Sequence, residues 1–301
     1  MKKAFALLLA LLLLSLSGCG AAAEDISIVA TFYPVYVLAE NVLDGVEGVS
    51  LSSMTPPSTG CLHDYQLLTS DMRALAKAQA LLINGAGMEA ILPDVKGQFP
   101  DLTVIDCSVG VELIAEEEDE DEDHDHEHDH GEYNAHIWLA PENAVQMVKN
   151  LRDGLSALLP GQAERIAANA DAYIARLSDL DAELRAAIEP LPRKQIVTFH
   201  EAFPYFARAY GLEVAAVVAL EPDEPVSPRM LKAVIEKVKA AGNPPLFSEP
   251  QYENAALRTV AQETGAPVYE LDPLVTGDGA KTAYEDVMRK NLQVLLEALG
   301  N

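Results

Sequence analysis

The stretch from Gln162 to Ile188 constrains this chain more than any other. It is rich in Ala, Leu, Glu and Arg, contains no Gly or Pro, and is bracketed by Pro160 and Pro190. Such residues lose little freedom in a helix, and Pro marks where a helix stops. The composition predicts one helix, roughly 40 Å long at ~1.5 Å per residue. A helix of that length runs the full height of a two-lobed molecule, so the segments before and after it are expected to form separate halves.

Both halves alternate strand and helix patterns. In the first, Ile26–Ala30, Val49–Met54, Ala80–Asn84 and Leu102–Asp106 read as strands, with helical spacing over Tyr36–Leu43 and Ser70–Ala78. In the second, Gln195–Phe199, Leu212–Ala219, Pro245–Ser248 and Pro267–Leu271 read as strands. Helical stretches there are Pro204–Tyr210, Pro228–Ala241, Asn254–Thr264 and Ala283–Leu299. Alternation of this kind implies βαβ units and parallel pairing. The expected fold is α/β: two Rossmann-like lobes with mostly parallel sheets, residues 26–160 and 191–301, joined by one long rigid helix within 161–190.

Charge narrows the function. The 301 residues include 21 Lys and Arg against 47 Asp and Glu, a formal charge of −26. Phosphate would be repelled, which argues against a nucleic-acid partner. The N-terminus has Lys2 and Lys3, an apolar run from Ala4 to Leu14, then Leu16-Ser17-Gly18-Cys19. That order of charge, apolar core and small residues is a secretory signal, and the run is short of the roughly 18 residues a membrane span needs. The last four residues resemble the lipobox of bacterial lipoproteins. The resemblance implies removal of residues 1–18, lipidation of Cys19, and a tether over residues 19–25. The protein is then expected outside the cytoplasm, lipid-anchored to the outer face of the cell membrane or on the periplasmic side. Disulfides are permitted there. Cys61 and Cys107 are expected to pair and brace the loop that carries His63; the rival reading makes Cys61 a metal ligand.

Glu116–His130 reads EEEDEDEDHDHEHDH, with eleven acids, four His and nothing apolar. It cannot bury a core, so a disordered, solvated loop is expected over 116–133. A solubilising run needs acids, not imidazoles. His124, His126, His128 and His130 alternate with carboxylates, a pattern that suits metal capture.

The other three histidines are His63, His136 and His200. His63 follows a strand-to-turn segment, His136 follows the acidic loop, and His200 directly follows a predicted strand. Asp272 follows another. Ligands of open α/β sheets bind beyond the carboxyl ends of strands. A cleft between the halves is expected to gather all four, and three imidazoles with one carboxylate suit four-coordinate zinc.

At these residues the chain resembles the zinc-type, metal-binding solute-binding lipoproteins of ABC importers. The resemblance rests on Thr31-Phe32-Tyr33-Pro34, Leu62-His63-Asp64-Tyr65, His136-Ile137-Trp138-Leu139-Ala140-Pro141, Phe199-His200-Glu201-Ala202-Phe203-Pro204, and Glu270-Leu271-Asp272-Pro273-Leu274. It runs in order from about Ile26 to the C-terminus. Asn134-Ala135 and Ala140 depart from residues common in that family. The resemblance implies two α/β lobes on a long helix, a metal between them held by His63, His136, His200 and Asp272, and an ABC permease as partner to a monomeric binder. His rather than Glu at position 200 favours Zn²⁺ over Mn²⁺. Manganese import, a metal-buffering surface adhesin and a secreted zinc hydrolase are the alternatives. Glu201 would be the hydrolase's base, but no His-Glu-x-x-His begins at His200 and no Gly-x-Ser-x-Gly occurs, so no enzyme is expected.

Overall fold

The computed structural model describes residues 25–56, 62, 65–116, 132–218, 226–251 and 255–300. The N-terminal signal with Cys19, and Cys61, His63, His124, His126, His128 and His130, lie outside the described residues. Among those described, no helix is long and apolar enough to cross a membrane.

The first half contains β1 (Ile26–Ala30), α1 (Tyr33–Val42), β2 (Val49–Ser53), α2 (Thr69–Leu75), β3 (Ala80–Ile83), α3 (Leu92–Gln98), β4 (Thr103–Asp106) and α4 (Pro141–Leu158). The long helix α5 (Ala163–Ile188) follows. The second half contains β5 (Gln195–Thr198), α6 (Pro204–Tyr210), β6 (Glu213–Val217), α7 (Pro228–Ala240), β7 (Leu246–Ser248), α8 (Ala255–Thr264), β8 (Val268–Glu270) and α9 (Ala283–Leu299). The halves repeat one topology, with sheet orders β2-β1-β3-β4 and β6-β5-β7-β8. Every strand pair is parallel.

Alternation along each strand decides the layering. In β1, Ile28 and Ala30 join the large core and Val29 faces the opposite side; in β3, Ala80 and Leu82 do the same against Leu81 and Ile83. In the second sheet, Ile196 and Phe247 face the large core, while Val197 and Leu246 face outward onto α7 and α8. The large core is common to both halves and is filled by α1, α4, α5, α6 and α9. Smaller outer clusters pack α2 and α3 on one sheet and α7 and α8 on the other.

Helix α5 buries Ile166, Ala170, Tyr173, Leu177, Leu180, Leu184 and Ile188, a stripe at spacings of three and four. That stripe packs on α1 and α4 from the first half and on α6 and α9 from the second. Each large side chain removed from water contributes about 1.5–3 kcal/mol, so the joining helix is part of the core.

Several expectations need correction. The first helix begins at Tyr33, because Pro34 sits in its first turn, where a missing N–H costs nothing. Helix α4 was not anticipated. It lacks a side-chain N-cap and carries Gly154, yet that glycine is required: a Cβ there would lie 2.8 Å from Ile105 on β4. Helix α3 was also not anticipated; its seven residues include Pro93 and Gly97. The acidic loop was expected to span 116–133, but its ends are built in. Glu116 N–H donates to Glu132 O at 3.2 Å, and Ala115 bridges Tyr133 antiparallel. Cys107 is a free thiol, which overturns the expected Cys61–Cys107 bridge at its described end. Its side chain is wholly buried in the large core. Burial, with the charges of Glu89 and Asp106, pushes the thiol pKa well above its ordinary value.

Candidate metal centre

In each half the helix after the first strand covers the inner face of the sheet and the helix after the second strand covers the outer face. Connections therefore leave in opposite directions on either side of β1 and β5, which creates switch points between β1 and β3 and between β5 and β7. Crevices at the carboxyl ends of such strands hold ligands. His200 lies just beyond β5 and Glu249 just beyond β7. Thr31, Asn84 and Gly85 occupy the matching place beyond β1 and β3.

His136 reaches the crevice from the loop between β4 and α4, at the start of a single 3₁₀ turn, Ile137–Leu139. Its backbone N–H donates to Asn134 Oδ1 at 3.1 Å, and Asn84 Nδ2 holds the preceding carbonyl, Ala135 O, at 2.9 Å. Trp138 locks the turn across the crevice: its indole N–H donates to Pro273 O at 2.8 Å, and Tyr284 OH donates to Trp138 O at 2.7 Å. The Trp138 ring stands edge-on to Phe32 at 5.2 Å and lies 5.1 Å from the His136 ring.

His136 and His200, 2% and 0% exposed, meet with Nε2 atoms 3.3 Å apart. On its far side, His200 Nδ1 contacts the buried Glu249 carboxylate. A carboxylate only accepts, so Nδ1 carries the proton and Nε2 presents a lone pair toward His136. The second Glu249 oxygen accepts from Gln251 Nε2 at 2.8 Å. Zinc bonds imidazole nitrogen at about 2.0–2.1 Å with near-tetrahedral angles, which sets two such nitrogens about 3.3 Å apart. The pair therefore has the spacing of two ligands on one ion.

Asp272 lies just beyond β8, in the same half as His200. Its backbone N–H donates to Asn291 Oδ1 at 2.9 Å, its carbonyl accepts from Asn291 Nδ2 at 2.8 Å, and its Oδ1 accepts from Leu274 N–H at 2.8 Å. Burial raises its pKa, the Leu274 N–H opposes the rise, and the charge of Glu249 adds to it. Among the described residues no three His, Cys, Asp or Glu side chains form one metal-holding group. The structure thus brings two of the four expected ligands, His136 and His200, into contact, does not gather Asp272 with them, and leaves His63 outside the described residues.

Sequence reasoning missed Glu249. The rule that singled out His200 and Asp272 applies equally to it, since it directly follows a predicted strand. It also missed Glu89, buried at the switch point between β1 and β3. That carboxylate accepts from Thr31 Oγ1 at 2.7 Å, Asn84 N–H at 2.7 Å and Gly85 N–H at 3.1 Å. Burial pushes its pKa up to about 7 against those three bonds.

Comparison with known proteins identifies the family. Residues 28–298 match the family described as zinc-uptake complex component A, periplasmic. The zinc-binding lipoprotein AdcA of Streptococcus pneumoniae is 32% identical over 98% of this chain and 60% of its own length. The manganese-binding lipoprotein MntA of Halalkalibacterium halodurans is 28% identical over 99% of both chains. A crystal structure of a ZnuA deletion mutant with zinc bound aligns at a TM-score of 0.77 and 26% identity, covering 92% of this chain and 99% of the other. The chain spans 55–60% of the length of the streptococcal zinc-binding proteins it matches. With nearly all of its two-lobed body matched by one family model, the chain belongs to the periplasmic zinc-uptake component A family of solute-binding proteins.

Proposed function

We propose that the chain captures Zn²⁺ between its two halves and delivers it to an ABC permease. The observation that carries this reading is the 3.3 Å separation of His136 Nε2 and His200 Nε2, the spacing that tetrahedral zinc asks of two imidazoles. His63 is the third imidazole and Asp272 the fourth ligand. Glu249 orients His200 and makes its Nε2 a stronger donor, as a carboxylate behind a metal-bound histidine does.

Three imidazoles against a single carboxylate favour zinc over manganese, which prefers a harder, carboxylate-richer donor set. His124, His126, His128 and His130 exchange zinc rapidly and raise its local concentration, aided by the net charge of −26. Cys19 carries the lipid that keeps the monomer at the outer face of the membrane, where the permease lies. The chain performs no catalytic turnover.

Metal analysis of the purified soluble chain, with and without residues 116–130, under competition between Zn²⁺ and Mn²⁺, tests the reading. One tightly held zinc per chain is expected in both forms. Preferential manganese retention would move the assignment to a manganese importer, and loss of all tight binding on loop deletion would place the site in the acidic segment instead. Zinc-dependent growth after deletion of the gene, rescued by added zinc, separates an importer from a buffer or adhesin.

A further inference from the structure

We propose that Asn134 is the positioning residue that sets the distance between His136 and His200, an inference that rests on the metal-site reading above. Asn134 is 2% exposed, and each of its four polar groups has a separate job. Its backbone N–H donates to Ile114 O at 2.9 Å, and its carbonyl accepts from Tyr205 OH at 2.7 Å. Its side-chain Oδ1 accepts the His136 backbone N–H at 3.1 Å, and its Nδ2 donates to Glu201 O at 2.9 Å. One amide group therefore holds the backbone of His136 with one atom and the backbone beside His200 with the other.

The two histidines come from segments 64 residues apart. A single head group that both accepts and donates ties the main chain of His136 to that of the residue following His200. Carboxamides alone combine an acceptor and a two-proton donor on one carbon; a carboxylate has only acceptors and would face the Glu201 carbonyl with a second oxygen. Burial makes an unmade bond here costly. Tyr205 supports the same link from α6: its hydroxyl, besides donating to Asn134 O, accepts Ile114 N–H at 3.0 Å. The crevice is thus spanned by hydrogen bonds that do not involve the ion.

The test uses the soluble chain at pH 7.5 and three variants: Asn134→Asp, which keeps the shape and the acceptor toward His136 but loses the donor and adds a charge whose attraction for the ion acts against the expected loss; Asn134→Ala, which loses both polar atoms without adding charge; and Tyr205→Phe, which leaves the Asn134 side chain intact. Zinc affinity is read by competition with a chromophoric chelator, ligand geometry by the visible bands of bound Co²⁺, and folding by the thermal midpoint of the metal-free protein. Support for a metal-bound histidine is typically worth about 10–100-fold in affinity. Asn134→Asp is expected to bind zinc about tenfold or more weakly with shifted Co²⁺ bands, Asn134→Ala more weakly still, and Tyr205→Phe less so with a shift in the same sense. Zinc affinity within twofold of the parent together with unchanged Co²⁺ bands in Asn134→Asp overturns the inference while leaving the site standing. Weakening that only tracks a lower thermal midpoint, with parental Co²⁺ bands, also overturns it. Should an Asn134 variant fail to fold, Tyr205→Phe decides: parental affinity and bands there overturn the inference. A parent chain that takes up no zinc overturns both the inference and the metal-site reading.

Discussion

Replacing Glu249 by Gln isolates what a buried charge behind His200 contributes. The side chains of both residues are almost completely inaccessible, 0% for His200 and 1% for Glu249. Gln has nearly the same volume and its amide oxygen still accepts from Nδ1–H, so the change removes a charge and little else. An ion on His200 Nε2 would sit about 6 Å from the carboxylate, given Zn–N distances of about 2 Å. A dication and a unit anion at that range attract by roughly 5 kcal/mol at an effective dielectric near 20. Part of this is lost because the substituted amide still polarises the ring and because the buried carboxylate no longer has to be held charged without the ion. Carboxylates in this role cost about 10–100-fold when removed, or about 1.4–2.7 kcal/mol. Glu249→Gln should therefore bind zinc about 10–100-fold more weakly in competition with a chromophoric chelator, while its metal-free thermal midpoint stays near that of the parent. Zinc binding within twofold of the parent, with folding intact, would falsify the view that Glu249 tunes a ligand.

Four further outcomes follow. His136→Ala and His200→Ala should each lose about 3 kcal/mol of zinc affinity, a share of the 10–16 kcal/mol that four ligands typically provide, as measured by isothermal titration. Zinc affinity should fall as pH is lowered from 7.5 to 5.5, because protons compete for the imidazole nitrogens; an affinity flat over that range would argue against imidazole ligation. Glu89 has a folded-state pKa near 7, above its ordinary value, so the native state retains a proton that the unfolded chain has already released. Stability should decline as pH rises from about 4.5 to 7, and Glu89→Gln should flatten that part of a denaturant-midpoint profile. Cys107 should resist a thiol reagent in the native protein and react once the chain is unfolded without reductant; continued silence after unfolding would restore the bridge to Cys61.

Much of the architecture was legible because it depends on patterns that repeat. β-strand runs such as Ile28-Val29-Ala30 and Leu81-Leu82-Ile83 are short, apolar and bounded by turns, and they appear within a residue or two of where they were expected. The long helix starts at Ala163 rather than Gln162. Helix α4 escaped notice although Ala144, Met147, Val148, Leu151 and Leu155 carry a clear three-and-four spacing; the lack of a capping side chain and the internal Gly154 hid it. At the site, His200 was found from residue type and strand position and His136 from residue type and its place after the acidic loop, and they touch. Glu249 obeyed the same positional rule but was passed over because a lone carboxylate after a strand has no distinguishing type. Asn134 stood out only as a departure from the family pattern, since its importance lies in which backbone groups folding brings to its two side-chain atoms. The Cys61–Cys107 pairing was inferred from compartment alone, and compartment says nothing about which way a thiol points.

The apolar layer common to both sheets limits how far the two halves can part. Parting the halves like a clam shell would wet Phe32, Trp138 and Tyr284, all fully buried in that layer, at about 1.5–3 kcal/mol apiece. It would also break the Trp138–Pro273 and Tyr284–Trp138 bonds. Thermal energy does not meet that sum often. On the proposed reading, an ion would have to leave without the two halves parting.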